Sequence, residues 1–174
     1  MRGELLLLAV AGLALALGVE ALRAALDLDL GVTGGAAHGY FYERHQIGVT
    51  RLNVPVSGLP DGLAGLRIGL ITDLHRSGTV PHEDVANAVA LLLNERPDLI
   101  VLGGDYVTWG DRAYVVPAAE ALRPLAAPYG VFGILGIHDD DHDMPAALMR
   151  NGVQILKDAR TRLQIRNESV DLVG

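Results

Sequence analysis

The sequence contains no cysteine, which excludes disulfides, thiolate-bound zinc and a cysteine nucleophile together and leaves the redox compartment open. Aromatic residues are scarce at 5%, although half of all residues are hydrophobic. A core built from such a chain is aliphatic, as in α/β proteins, and the hydrophobic fraction argues against long disorder. Positive charge is also short, with 14 Lys and Arg against 21 Asp and Glu for a net charge of −7. That balance provides no basic surface for a phosphate backbone, so no nucleic-acid partner is expected. An anionic substrate would need a cation at the site. Neither Gly-x-Gly-x-x-Gly nor a Gly-Lys-Ser/Thr loop occurs, which leaves a dinucleotide- or nucleotide-binding reading without support. The 174 residues suffice for one domain of ordinary size with a short appendage.

Leu5 to Val19 is an uncharged run rich in leucine and alanine, bracketed by Glu4 and Glu20. Its 15 residues fall between the core of a signal peptide and the span of about 20 residues that crosses a bilayer. We read residues 1–26 as an uncleaved signal anchor, a hydrophobic transmembrane helix holding the protein at the cell membrane. The alternatives are a cleaved signal peptide, with secretion, and a helix buried in the domain. Arg2 and the terminal amine set against Arg23 do not choose the side of the membrane. Residues 27–39, with Gly31, Gly34, Gly35 and Gly39, have the composition of a flexible linker, and the folded domain is expected over 40–174.

Within the domain, Leu52, Val54 and Val56 alternate with polar residues and Pro55, the pattern of a half-buried edge strand. Three short apolar strands follow, at Arg67–His75, Leu99–Leu102 and Val131–Leu135, each about one βα unit from the next. Between them Val85, Ala88, Val89, Leu92 and Leu93 recur at helical spacing over Glu83–Glu95, with His82 solvated at the helix start, and Ala118–Leu125 forms a second helix. Met144–Arg150 is a third helix, and Val153–Leu156, Leu163–Ile165 and Val170–Val173 are further strands. An α/β fold with a parallel sheet covered on both faces is implied.

All three central strands end in ligand-type residues: Asp73-Leu74-His75, Gly104-Asp105 and Gly136-Ile137-His138-Asp139. Side chains alternate along a strand, so Asp73 and His75 project together while Leu74 enters the core. Asp-x-His alone is a weak signal, often no more than a polar turn. Three such ends in order, 32 and 33 residues apart, are far more specific.

This ordered set resembles the calcineurin-like metallophosphoesterases, whose pattern runs Asp-x-His, Gly-Asp, Gly-Asn-His-Asp/Glu, a lone His and Gly-His-x-His. Thr72-Asp73-Leu74-His75, Pro97-Asp98-Leu99-Ile100 and Gly104-Asp105-Tyr106-Val107 are similar to its membrane-associated phosphodiesterase branch. The resemblance implies a β-sandwich flanked by helices, incomplete here at the C-terminus, around two divalent metal ions (Mn, Fe, Zn or Mg). Asp73 and His75 would ligate the first ion, Asp105 would bridge both, and a bridging hydroxide would attack phosphorus in line. His138 would be the catalytic residue facing the scissile phosphate. The implied substrate is a phosphodiester or pyrophosphate; the apolar N-terminus points to a lipid-linked one such as UDP-2,3-diacylglucosamine.

Two departures from the pattern bear on activity. Ile137 stands at the asparagine position, and a hydrocarbon donates nothing to a second metal. Asp139, Asp140, Asp141 and His142 follow it, either as substitute ligands or as a solvated acidic loop. No counterpart of the last two motifs occurs before Gly174, so each metal would be under-coordinated, the second site impaired, and apolar strand faces left open. The alternative function is therefore a truncated or degenerate, inactive membrane-tethered remnant or binding module.

Overall fold

The computed structural model describes residues 3–11, as a backbone strand, and residues 45–174. The aliphatic runs line up as neighbours in one six-stranded sheet. Its strands are β1 (Gly3–Ala11), β2 (Val49–Val56), β3 (Arg67–Thr72), β4 (Leu99–Leu102), β5 (Val131–Gly133) and β6 (Gln154–Ile155), in the order β2-β1-β3-β4-β5-β6. Pairing is parallel from β1 through β6, with Ile71 beside Leu102 and Leu102 beside Gly133, and antiparallel only between β1 and β2. The edge position of β2 suits Pro55, which has no N–H to give to a ladder.

Three helices cover one face of this sheet: α1 (His82–Asn94), α2 (Val115–Leu122) and α3 (Asp143–Arg150). In α1, Val85, Ala88, Val89 and Leu92 turn to the sheet at the spacing of one helical stripe, and Glu83 and Asp84 favour its positive N-terminal end. The helix stops ahead of Pro97, and His82 is exposed as expected. The second helix begins three residues before the expected Ala118. Pro117 sits in its first turn, where a missing N–H leaves no bond unmade, and the helix ends before Pro124. Pleating divides β4 between two cores: Ile100 and Leu102 pack under the helices, whereas Leu99 packs on the opposite side with Phe132 and Leu156.

The expected cover on both faces is found on one and only partly on the other. Over the second face lies the antiparallel hairpin of β7 (Arg160–Ile165) and β8 (Glu168–Val173), a two-stranded sheet that makes a partial sandwich. It leaves an apolar cleft of about 270 Å³ between Leu70, Val101, Phe132, Ile134 and Leu172. On β2, Leu52 and Val54 are also exposed, so that strand is less buried than its alternation implies.

Of the helix expected over 1–26, residues 3–11 are described, and they are strand rather than helix: β1 lies between β2 and β3, with Leu7 opposite both Leu52 and Ile68. A run that is apolar at every position has no period with which to distinguish the two conformations. The remainder of that expected anchor, the linker 27–39 and the domain start at Tyr40 lie outside the described residues. No helix among the described residues is long and apolar enough to cross a membrane.

Candidate metal centre

The parallel order puts the carboxyl ends of β3, β4 and β5 side by side, the edge where sheets of this kind gather ligand-type side chains. Beyond the strands the chains stay in register. Asp73 N–H donates to the Gly104 carbonyl at 3.1 Å, His75 N–H to that of Asp105 at 2.9 Å, and Arg76 N–H to that of Tyr106 at 2.8 Å. Asp73, His75 and Asp105 all have positive φ, near +50°, uncommon for residues with a side chain. Such strain persists only where the surroundings impose it and concentrates at functional sites.

The β4 and β5 loops approach so closely that two glycines are obligatory. A Cβ on Gly104, itself at φ +90°, would lie 2.4 Å from Gly136 N, and one on Gly136 would lie 2.1 Å from Asp105 Oδ1. With hydrogen there instead, His75, Asp105 and His138 each offer a ligand atom, all within 4.8 Å of one another and half-buried. Asp73, exposed, stands beside this trio with Oδ1 3.9 Å from His75 Nε2, while its Oδ2 accepts from Thr72 Oγ1 at 2.6 Å. Leu74 enters the core as expected.

Two main-chain contacts orient the acid and the imidazole. His138 N–H donates to Asp105 Oδ1 at 2.9 Å, which leaves Oδ2 without that claim on it. Trp109 N–H donates to His138 Nδ1 at 3.1 Å. Nδ1 is thereby the acceptor, and the proton of the neutral ring is on Nε2. The His75 and His138 rings meet edge to face at 5.0 Å, and the Trp109 ring meets His138 likewise at 4.6 Å.

The acidic stretch after His138 divides between an inward-turned Asp139 and the exposed, solvated Asp141 and His142. The Asp139 carboxylate turns inward: Oδ2 accepts from the N–H groups of Asp105 and Gly136, both at 2.8 Å, and Oδ1 from that of Tyr106 at 2.8 Å. Burial pushes its carboxyl above the ordinary range, against the pull of these N–H groups. Burial likewise pushes the Tyr106 phenol far up, and its hydroxyl donates to the Ile134 carbonyl at 2.9 Å. Asp140 accepts from the N–H groups of His142 and Asp143 at the start of α3, and Asp141 meets Lys157 Nζ at 2.9 Å. Ile137 is 94% exposed. His38 lies outside the described residues, and His45 is engaged by Asp84 Oδ2 at 2.6 Å.

His75, Asp105 and His138, with Asp73 beside them but outside the group within 4.8 Å, supply the oxygen and imidazole-nitrogen donors that a hard or borderline divalent ion takes, so the chemistry of this set suits one such ion. For a second ion the described residues add no further donor at Ile137. Sequence reasoning missed Asp139 as a main-chain holder and Trp109 as the partner of His138. The signal for Trp109 was available, since the chain's single tryptophan follows Asp105 by four residues.

Comparison with known proteins agrees with this geometry. Residues 66–169 match the calcineurin-like phosphoesterase family. The phosphodiesterase YaeI of Escherichia coli (strain K12) is 32% identical over 120 residues, 66% of this chain and 44% of that protein. A transmembrane protein with metallophosphoesterase domain from Danio rerio is 32% identical over 91 residues, 52% of this chain and 21% of its own length. The UDP-2,3-diacylglucosamine pyrophosphatase LpxG of Chlamydia trachomatis is 33% identical over 97 residues, 56% of this chain and 30% of that enzyme. The chain thus spans less than half the length of these relatives. No solved structure matches at the same stringency. With its three motifs gathered at adjacent strand ends inside the matched region, which exceeds half the sequence, the chain belongs to the calcineurin-like phosphoesterase family.

Proposed function

We propose that this chain carries the metal-binding half of a phosphodiesterase or pyrophosphatase centre, with a lipid-linked phosphate ester such as UDP-2,3-diacylglucosamine as its candidate substrate. The observation behind it is the convergence of His75, Asp105 and His138 within 4.8 Å from three separate strand ends. Asp73, His75 and Asp105 would hold the divalent ion. Such an ion supplies positive charge against the phosphate oxygens and a more acidic water, which an acidic protein otherwise lacks. Asp105 is kept pointing inward by the His138 N–H on Oδ1. His138, with Nδ1 occupied by the Trp109 N–H, presents a proton at Nε2 to the leaving oxygen or to a phosphoryl oxygen. The lipid-linked substrate is suggested by the name of the Chlamydia relative. Placement at a membrane is supported by the name of the Danio relative and by the apolar run Leu5–Val19, although the first part of that run lies in β1.

A second reading, a non-catalytic metal-binding module, is favoured by Ile137, which removes a donor from the second ion. One assay separates the two. Mn²⁺-stimulated hydrolysis of bis-p-nitrophenyl phosphate by the wild type, abolished in Asp105→Asn, supports the enzyme. Equal rates in the two proteins, with Mn²⁺ still bound by the wild type, support the module.

A further inference from the structure

Single exposed apolar side chains are ordinary on a protein surface. Here, the two most exposed large hydrophobic residues described, Ile137 at 94% and Trp109 at 82%, both adjoin His138. Ile137 precedes it in the chain, and the Trp109 ring stands edge to face against its imidazole at 4.6 Å. The placement of Trp109 is built in. Its φ is +52°, its N–H is tied to His138 Nδ1, and the next N–H, of Gly110, donates to the His138 carbonyl at 2.8 Å. A wide indole on a backbone fixed by these bonds, its ring against His138, offers a large contact area beside the proton donor. A phosphate seated against His75, Asp105 and His138 lies beside these two residues, so a substituent that leaves the site on the His138 side meets them.

Resting on the phosphoesterase reading, we propose that Trp109 and Ile137 form an apolar wall that receives the hydrocarbon portion of the ester, so that the site selects phosphates carrying a large apolar group over small polar ones. The wall acts on recognition and not on the proton transfer, which remains with His138.

Because Trp109 is the only tryptophan, emission excited at wavelengths that the tyrosines do not absorb reports on this position alone. The test titrates the Mn²⁺-loaded chain with monomeric dodecyl phosphate and with methyl phosphate. The expected result is a shift of emission to shorter wavelength with dodecyl phosphate only, and at least about tenfold tighter binding of it, equivalent to about 1.4 kcal/mol. Competition calorimetry on Trp109→Ala and Ile137→Ser should shrink that preference severalfold in each. Equal affinity for the two phosphates in the wild type, or an unchanged preference in both variants, overturns the wall. A shift produced by phosphatidylcholine–phosphatidylglycerol vesicles but not by dodecyl phosphate also overturns it and assigns the two residues to a bilayer surface. Electron paramagnetic resonance of Mn²⁺ tells this failure from that of the underlying function. If the wild type binds no more Mn²⁺ than Asp105→Asn, the phosphoesterase reading falls and the wall with it; if Mn²⁺ binds and dodecyl phosphate gains nothing, the wall alone falls.

Discussion

Asp139 holds Asp105 by its main chain: Asp139 Oδ2 accepts the Asp105 N–H at 2.8 Å, and the same carboxylate takes the N–H groups of Gly136 and Tyr106. The loops after β4 and β5 are thereby clasped at the point where each delivers a functional side chain. Asp139→Asn is nearly isosteric but replaces one accepting oxygen by an N–H₂ that faces other donors. Leaving one or two buried N–H groups unpaired should cost about 2–4 kcal/mol, which for a chain of this size lowers Tm by roughly 5–15 °C. Thermal unfolding followed by circular dichroism measures it. A Tm unchanged within a degree would mean that the clasp contributes nothing.

The placement of Asp73, His75, Asp105 and His138 at strand ends was legible because the signal is local: an apolar run that stops on Asp, His or Gly needs no knowledge of the rest of the chain. Helix α1 was legible for the same reason, its period being complete within Val85–Leu92. The role of Asp139 was not, because the N–H groups it binds on Asp105 and Tyr106 lie 34 and 33 residues away and nothing in Asp139-Asp140-Asp141 says which carboxylate turns inward. The conformation of Gly3–Ala11 was hidden for the opposite reason. An unbroken apolar run carries no period, and β1 owes its conformation to the open edges of β2 and β3 on either side of it.

The acidic loop makes a pH-dependent prediction at Asp140. The N–H groups of Asp143 and His142 hold its carboxyl below the ordinary range. A depressed folded value means that the ionised form stabilises the native state. That contribution is present above the unfolded Asp value of about 3.9 and is lost as pH falls through the folded one. The start of α3 should therefore lose protection from amide hydrogen exchange on acidification below about pH 4, while Asp140→Asn shows weaker protection with a flatter dependence on pH. Parallel acid profiles in the two proteins would remove Asp140 from the explanation.

Ile137 occupies the asparagine position of the motif and is almost wholly exposed, so replacing it costs the fold little, within about 0.5 kcal/mol. Ile137→Asn adds an amide oxygen, a hard donor suited to a divalent ion. Calorimetric titration with Mn²⁺ should show tighter uptake or a higher stoichiometry than in the wild type. Identical isotherms would show that the position does not face a second ion, and the family pattern would then not transfer to this residue.

Gly136 gives the sharpest steric test of the centre. A Cβ there would stand 2.1 Å from Asp105 Oδ1 and 2.5 Å from Asp105 N. The carboxylate can swing away, but the main-chain nitrogen cannot, because Asp139 Oδ2 holds it. Gly136→Ala must therefore push the two loops apart, breaking the clasp and moving Asp105 relative to His138. The sheet and the helices below do not depend on that separation. Mn²⁺ affinity should accordingly fall at least tenfold while the far-ultraviolet circular dichroism spectrum is retained. Gly48→Ala is the control, with nothing within 4 Å of the added methyl, and should bind Mn²⁺ as the wild type does. If Gly136→Ala also binds as the wild type does, the close approach of the two loops is not what assembles the site.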